Sequence, residues 1–423
     1  MPHMRSWFVP AVAVVAASAV ALLTGCPSSD KKPKPDPSPS ATGSNATAIA
    51  PHGGGDPVKG KALVEQQQCN RCHEGTGFAS APQGKHCVQC HTDIMNDKFG
   101  SAESRVKWQP RVKDIQDAPS LEASQKRLKR SFVESYLLLP VDQRPTLVQS
   151  MPRLALTREQ AKDIAAYLGA DDKDDPKPTG DVAKGRQILD TKGCGTCHKM
   201  TGVSPLAASP VGVAIDAKEN ARAVRLAPDL RHVRDKMTAA RAVAWLADPK
   251  AVKPDSAMPK IPLTDGEIKD VVAYLYNAQI EPAKVVAPPE RLPVLTRKVT
   301  FEEVDKKVFH RTCWHCHSEP DYAIGDGGPG NSGGLGFKPR GLNLSDYAGI
   351  AAGFVNDKNE RESVFAKDAS GVPRLVRALL ARHAEEGGAP TGEVRGMPLG
   401  YAPLSLEDIQ LVESWIAQGR PRT

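Results

Sequence analysis

Eight of the nine cysteines fall in four copies of one five-residue pattern. The copies are Cys69-Asn70-Arg71-Cys72-His73, Cys87-Val88-Gln89-Cys90-His91, Cys194-Gly195-Thr196-Cys197-His198 and Cys313-Trp314-His315-Cys316-His317. Composition alone predicts on the order of 0.005 chance occurrences of Cys-x-x-Cys-His. Two thiols at this spacing can each add to one vinyl group of a porphyrin, forming thioethers. The histidine that follows is then held beneath the iron as its proximal ligand. The pattern is the attachment signature of haem c. Zinc patterns do not require histidine directly after the second cysteine, and thiol redox chemistry needs one such motif rather than four. Structural disulfides would leave the histidines without a role. Four covalent haem c groups are therefore expected, on Cys69 and Cys72, Cys87 and Cys90, Cys194 and Cys197, and Cys313 and Cys316. Their proximal ligands are His73, His91, His198 and His317.

The ninth cysteine belongs to a different device. A charged start, Met1–Arg5, precedes an Ala/Val/Leu-rich run, Trp7–Leu23, as in a secretory leader. Leu23-Thr24-Gly25-Cys26 resembles a bacterial lipobox, which implies cleavage after residue 25 and lipidation of Cys26. A retained single-helix signal anchor is the other reading, and either places the body outside the cytoplasm. Pro27 rather than Asp after Cys26 favours the outer membrane by the same resemblance. Residues 26–56 are rich in Pro and Ser and form the expected tether.

The elements that must position the motifs repeat along the chain. Val58-Lys59-Gly60 and Ala183-Lys184-Gly185 each place glycine nine residues before the first cysteine. Ala118-Pro119-Ser120-Leu121 matches Ala227-Pro228-Asp229-Leu230. Met151-Pro152 matches Met258-Pro259, and each is followed by a helical pattern with a tyrosine 16 residues after the methionine, Tyr167 or Tyr274. Residues 299–420 hold a more distant copy with Met397-Pro398 and a last helix ending near Gly419. Thr157, Thr264 and Ser405 stand at expected N-cap positions. Charged or proline-rich linkers, Asp171–Gly180 and Glu281–Pro293, separate the copies. No segment shows sustained strand alternation, so an all-α fold is expected.

As a set, these motifs resemble class I c-type cytochromes, in which an N-terminal helix runs into Cys-x-x-Cys-His and a Met-Pro loop precedes a C-terminal helix. The resemblance implies three such domains in tandem, at 57–169, 181–280 and 299–420. With the threefold repetition of Met-Pro, it assigns Met151, Met258 and Met397 as distal ligands opposite His73, His198 and His317. Thioether ligation favours ferrous iron and raises the potential. Met200 and Met237 lie off the repeat position and read as core residues.

The Cys87–His91 motif breaks the plan, because it is inserted in the first domain without a second Met-Pro. Only 13 residues separate His73 from Cys87, so the two haems of this domain must lie close together. The distal ligand of the second haem stays open. His86, directly before Cys87, is unable to cross to the far face of its own haem and reads as a surface residue or a ligand to a neighbouring haem, and Met95, on the proximal side, reads as packing. His52 lies in the tether, while His232 and His383 sit in polar helical stretches that read as solvated. His310 and His315 flank or enter the fourth motif and are able to reach a neighbouring haem.

The remaining composition excludes other classes. Charge is +7, with 56 basic and 49 acidic residues, and no Lys/Arg block suits nucleic acid. The densest basic run, Lys126–Arg130, reads as a solvated helix face. Removal of the leader and the propionates of four haems bring the charge near neutrality. Aromatic residues are only 5% of the chain, and haems would supply the missing bulk. Gly325–Gly336 lacks the order of a phosphate loop and reads as a flexible loop beside the fourth haem. The expected function is single-electron transfer outside the cytoplasm, with redox proteins as partners, membrane attachment through the N-terminal lipid, and membership of a respiratory assembly compatible with it. The alternative is a redox enzyme working at an open second haem.

Overall fold

In a computed structural model of the chain, the described residues are 54–82, 85–140, 143–148, 150–154, 156–171, 177–318, 341–356, 358–388 and 394–423. The leader, Cys26, His52, most of the tether and the glycine-rich stretch 325–336 lie outside them. The described residues belong to one compact unit, and they are predominantly helical.

One helix pair is built twice. Pro57–Gln66 packs on Arg158–Leu168, and Val182–Thr191 packs on Asp265–Asn277. Asp56 and Asp181 cap the first helix of each pair through their side chains. Their own backbone amides donate to Asp163 Oδ1 and Asp270 Oδ1, both at 2.7 Å. The repeated glycines sit where the helices cross. A Cβ on Gly60 would collide with the Asp163 carbonyl oxygen, and one on Gly185 with that of Asp270. The glycine is thus required by the close approach of two backbones. Capping boxes start both second helices, Thr157 with Gln160 and Thr264 with Glu267.

The third copy reaches a similar pairing by different means. A turn of α-helix, Phe301–Val304, continues as a π-helical segment, Asp305–Cys313, and both contact Leu406–Ala417. Val304, fully buried, takes the place held by glycine elsewhere. Trp415 fills the core here, ringed by Phe301, Phe309, Tyr347 and Phe365 at 5.7–6.1 Å between ring centres. Ser405 caps the last helix by accepting from Asp408 N. Gly419, just beyond its end, adopts φ +80°, the left-handed turn that stops a helix. The expectation of helix alone needs one small amendment. Phe354–Val355 and Arg361–Glu362 form a two-residue antiparallel strand pair, too short for an alternating pattern to announce it.

Each copy surrounds its own apolar core. The second motif sits on a helix of its own, Cys87–Met95, which packs on Ala102–Val112 through Ile94, Trp108 and Val112.

Candidate functional site

The repeated Ala-Pro-x-Leu segments hold the motif histidines. His73 Nδ1 lies 2.8 Å from the Pro119 carbonyl oxygen, and His198 Nδ1 lies 2.8 Å from that of Pro228. The leucines complete the clamp, with Leu121 N donating to Glu74 O and Leu230 N to Lys199 O, both at 2.8 Å. A carbonyl opposite Nδ1 fixes the proton there and leaves the Nε2 lone pair free for a metal. His91 is held in the same sense by Ile115 O at 3.2 Å. At His317 the Leu342 carbonyl is near enough to raise proton affinity, but among the described residues Nδ1 closes no hydrogen bond of good geometry. Burial pushes all four imidazoles toward the neutral, metal-binding form, His91 and His317 to about 4.

None of the eight motif cysteines forms a disulfide. Burial raises Cys69, Cys90 and Cys194 to about 11 and Cys313 to about 12. Such thiols are protonated at neutral pH and unsuited to thiolate redox chemistry. Cys72 is raised well above the usual thiol range, first by a hydrogen bond with Cys87 and then by burial. The first and second motifs therefore touch through their sulfurs, as the short spacing between them requires.

One apolar cavity serves two motifs. Cys69, His73 and Met151 line it from the first copy, and Cys194, His198 and Met258 from the second. Met258 Sδ accepts a hydrogen bond from Trp245 Nε1. Met397 packs against the third core, as does Cys313, and its amide donates to Ala378 O at 2.8 Å. Met200 is 4% exposed in the second core and Met237 is buried on the cavity wall, so neither is a surface residue.

The shared cavity also gathers buried cations. Arg127 is 5% exposed and its Nε has no partner among the described residues. Lys236, whose Nζ lies 3.2 Å from Gln143 Oε1, is pushed down to about 7 by burial and by Arg127, Arg144 and Lys253. Asp255 pairs with Lys253, and Asp117 with Arg222 and Arg225, leaving this edge positive. Uncompensated buried charge is costly, and a flat apolar group bearing carboxylates would satisfy both cavity and cations. The residues present fit haem. The Lys126–Arg130 run is thus not the solvated helix face expected. It straddles a short 3₁₀ turn, Ser124–Lys126, and the start of Arg130–Leu138, with Arg127 and Leu128 turned inward. Local charge density does not reveal a cavity built by a distant segment.

The candidates for the second motif's partner separate clearly. His86 is buried rather than on the surface, as its place in the sequence suggested. It caps the Cys87–Met95 helix, accepting from Gln89 N at 3.0 Å, and its Nε2 lies 3.0 Å from Glu74 Oε1. Met95 packs beside Ile94 and Trp108. His383 Nε2 is engaged by Leu404 O at 2.8 Å, and His232 lines the shared cavity, so neither is simply solvated. His310 stacks on Trp314 at 4.3 Å. His315 and His91 line one further cavity, their ring centres 6.3 Å apart.

Residues 182–279, which carry the third motif, its Pro228 clamp and Met258, match the family model for cytochrome c. This segment is a cytochrome c domain. No curated protein matches the chain. A cytochrome c domain binds haem c covalently, and electron transfer is its general role. Within this one, Arg186 bonds Asp190, the Tyr274 hydroxyl and the carbonyls of Ser204 and Pro205, tying its first helix to its last and to the loop after the motif.

Proposed function

We propose that the chain is a tetrahaem cytochrome that relays single electrons outside the cytoplasm. Cys69 and Cys72, Cys87 and Cys90, Cys194 and Cys197, and Cys313 and Cys316 hold the haems, with His73, His91, His198 and His317 as proximal ligands. Met151, Met258 and Met397 complete three of the irons. Bound haem supplies a one-electron ferric/ferrous couple. The protein's part is to pin the imidazoles, exclude water with apolar walls and hold cations near the propionates.

The observation that carries this reading is the spatial order of the motifs. The Cys194 motif shares a cavity with the Cys69 motif, Cys72 touches Cys87, and the cavity of Cys87 and His91 is closed by Arg311, Trp314 and His315 of the fourth segment. The row runs third, first, second, fourth, so the two ends belong to the two C-terminal copies. The inserted motif is the bridge between them.

Cutting that bridge tests the function. In the matured protein, C87A/C90A should keep three haems but slow electron passage between the Cys194 and Cys313 haems by orders of magnitude in a flash-reduction experiment. Passage at the wild-type rate would overturn a relay through the second haem. Export, a lipid on Cys26 and attachment to the outer membrane belong to the same proposal and rest on the leader sequence, whereas redox-protein partners and a place in a respiratory assembly follow from the electron-transfer role. Metabolic labelling with palmitate tests the anchor, since C26S should abolish the label.

A further inference from the structure

The Cys87–His91 motif lacks a Met-Pro partner, and its cavity holds a better candidate than any methionine. We infer that His315 is the second axial ligand of the haem on Cys87 and Cys90, opposite His91. This rests on the haem reading of that motif and adds an iron ligand to it.

The geometry is specific. A metal–imidazole bond of about 2 Å on each side of one ion separates two ring centres by about 6 Å. The His91 and His315 rings are 6.3 Å apart, tilted by 34°. His91 has its Nδ1 committed to Ile115 O, which turns Nε2 toward the cavity. Among the described residues, no hydrogen-bond partner meets the buried His315 Nδ1, a state that costs free energy until a group engages that nitrogen. The space they face is walled by Ile94, Trp108, Trp314 and Leu404, with Arg111 and Arg311 also lining it, a slot suited to a flat apolar group that bears carboxylates. His310, the other histidine of this segment, stacks on Trp314 and so braces the residue next to His315.

The position of His315 gives the assignment its consequence. It stands between Cys313 and Cys316, so the fourth motif serves two irons, with His317 beneath its own haem and His315 reaching across to its neighbour. The third copy is thereby latched to the inserted motif through the cofactor, and the second iron has no position left for a small substrate. Imidazole in place of thioether also lowers the potential of this haem relative to the His/Met centres.

The test uses the full matured chain and low-temperature EPR with near-infrared magnetic circular dichroism, which separates bis-imidazole from imidazole–thioether low-spin haem. Wild-type protein should show one bis-imidazole centre among four low-spin irons. H315L should convert one iron in four to high spin and create one carbon monoxide site in the reduced protein. H315M, which restores a ligand, should return that iron to low spin with a thioether signature. Four low-spin irons in H315L, or a wild-type high-spin centre, would overturn the inference while leaving the tetrahaem reading intact. A matured chain with no haem on Cys87 and Cys90 would overturn both, and intact mass distinguishes that outcome.

Discussion

Trp245 Nε1 donates to Met258 Sδ at 3.0 Å, so the proposed sulfur ligand of the cytochrome c domain is itself polarised by an indole. A donor on the thioether withdraws electron density that would otherwise stabilise ferric iron, and second-shell hydrogen bonds are an established lever on haem potential. A neutral hydrogen bond contributes about 1 kcal/mol, and a one-electron couple shifts by 59 mV per about 1.4 kcal/mol. W245F should therefore lower the potential of the Cys194 haem by about 40 mV in a spectroelectrochemical titration. An unchanged or higher potential would separate Trp245 from the ligand.

The helix crossings give a stability prediction. G185A places a methyl against the Asp270 carbonyl and the Tyr274 side chain, and G60A does the same at Asp163 and Tyr167. Overpacking of this kind costs about 2–3 kcal/mol. Gly266 supplies the control, because its nearest neighbour would be Thr264 Oγ1 at 4.0 Å. G266A should be neutral or stabilise by about 0.5–1 kcal/mol. Denaturant unfolding of the three variants checks the ranking, and equal effects at Gly185 and Gly266 would contradict it.

These crossings show what the sequence carries by itself. Gly60, Gly185, the two Ala-Pro-x-Leu segments and the tyrosines recur at fixed offsets, and the structure gives each recurrence a contact. Local spacing also exposes the four motifs, because their chemistry is contained in five consecutive residues. Legibility ends where a site is made by segments far apart in the chain. Arg127 looks like surface charge until Lys236 and Lys253 arrive from the next copy. His315 is one of several stray histidines until the third copy brings it to His91. The spatial order of the motifs is invisible for the same reason, since it depends on which copies pack together.

The approach to the fourth motif carries a pH dependence. Glu303 accepts from Arg297 at 2.7 and 2.9 Å and from Lys307 at 2.8 Å, and these bonds hold its carboxyl down to about 2 from 4.5. A carboxyl depressed on folding stabilises above its unfolded value and loses that contribution as pH falls through the folded one. Arg297 is half exposed, so solvent screening limits the gain to roughly 1 kcal/mol. E303Q should be less stable than wild type by that amount at pH 6, with the gap closing between pH 4.5 and 2. A gap that stays constant across this range would contradict the ion-pair origin.

Haem on all four motifs is tested by the intact mass of the chain matured in a host that attaches haem c, with alkylation of free thiols under denaturing conditions. The expected result is four haem increments and no alkylated thiol among Cys69, Cys72, Cys87, Cys90, Cys194, Cys197, Cys313 and Cys316. Three increments or fewer, with a free pair at Cys87 and Cys90 or at any other motif, would break the proposed row and contradict it.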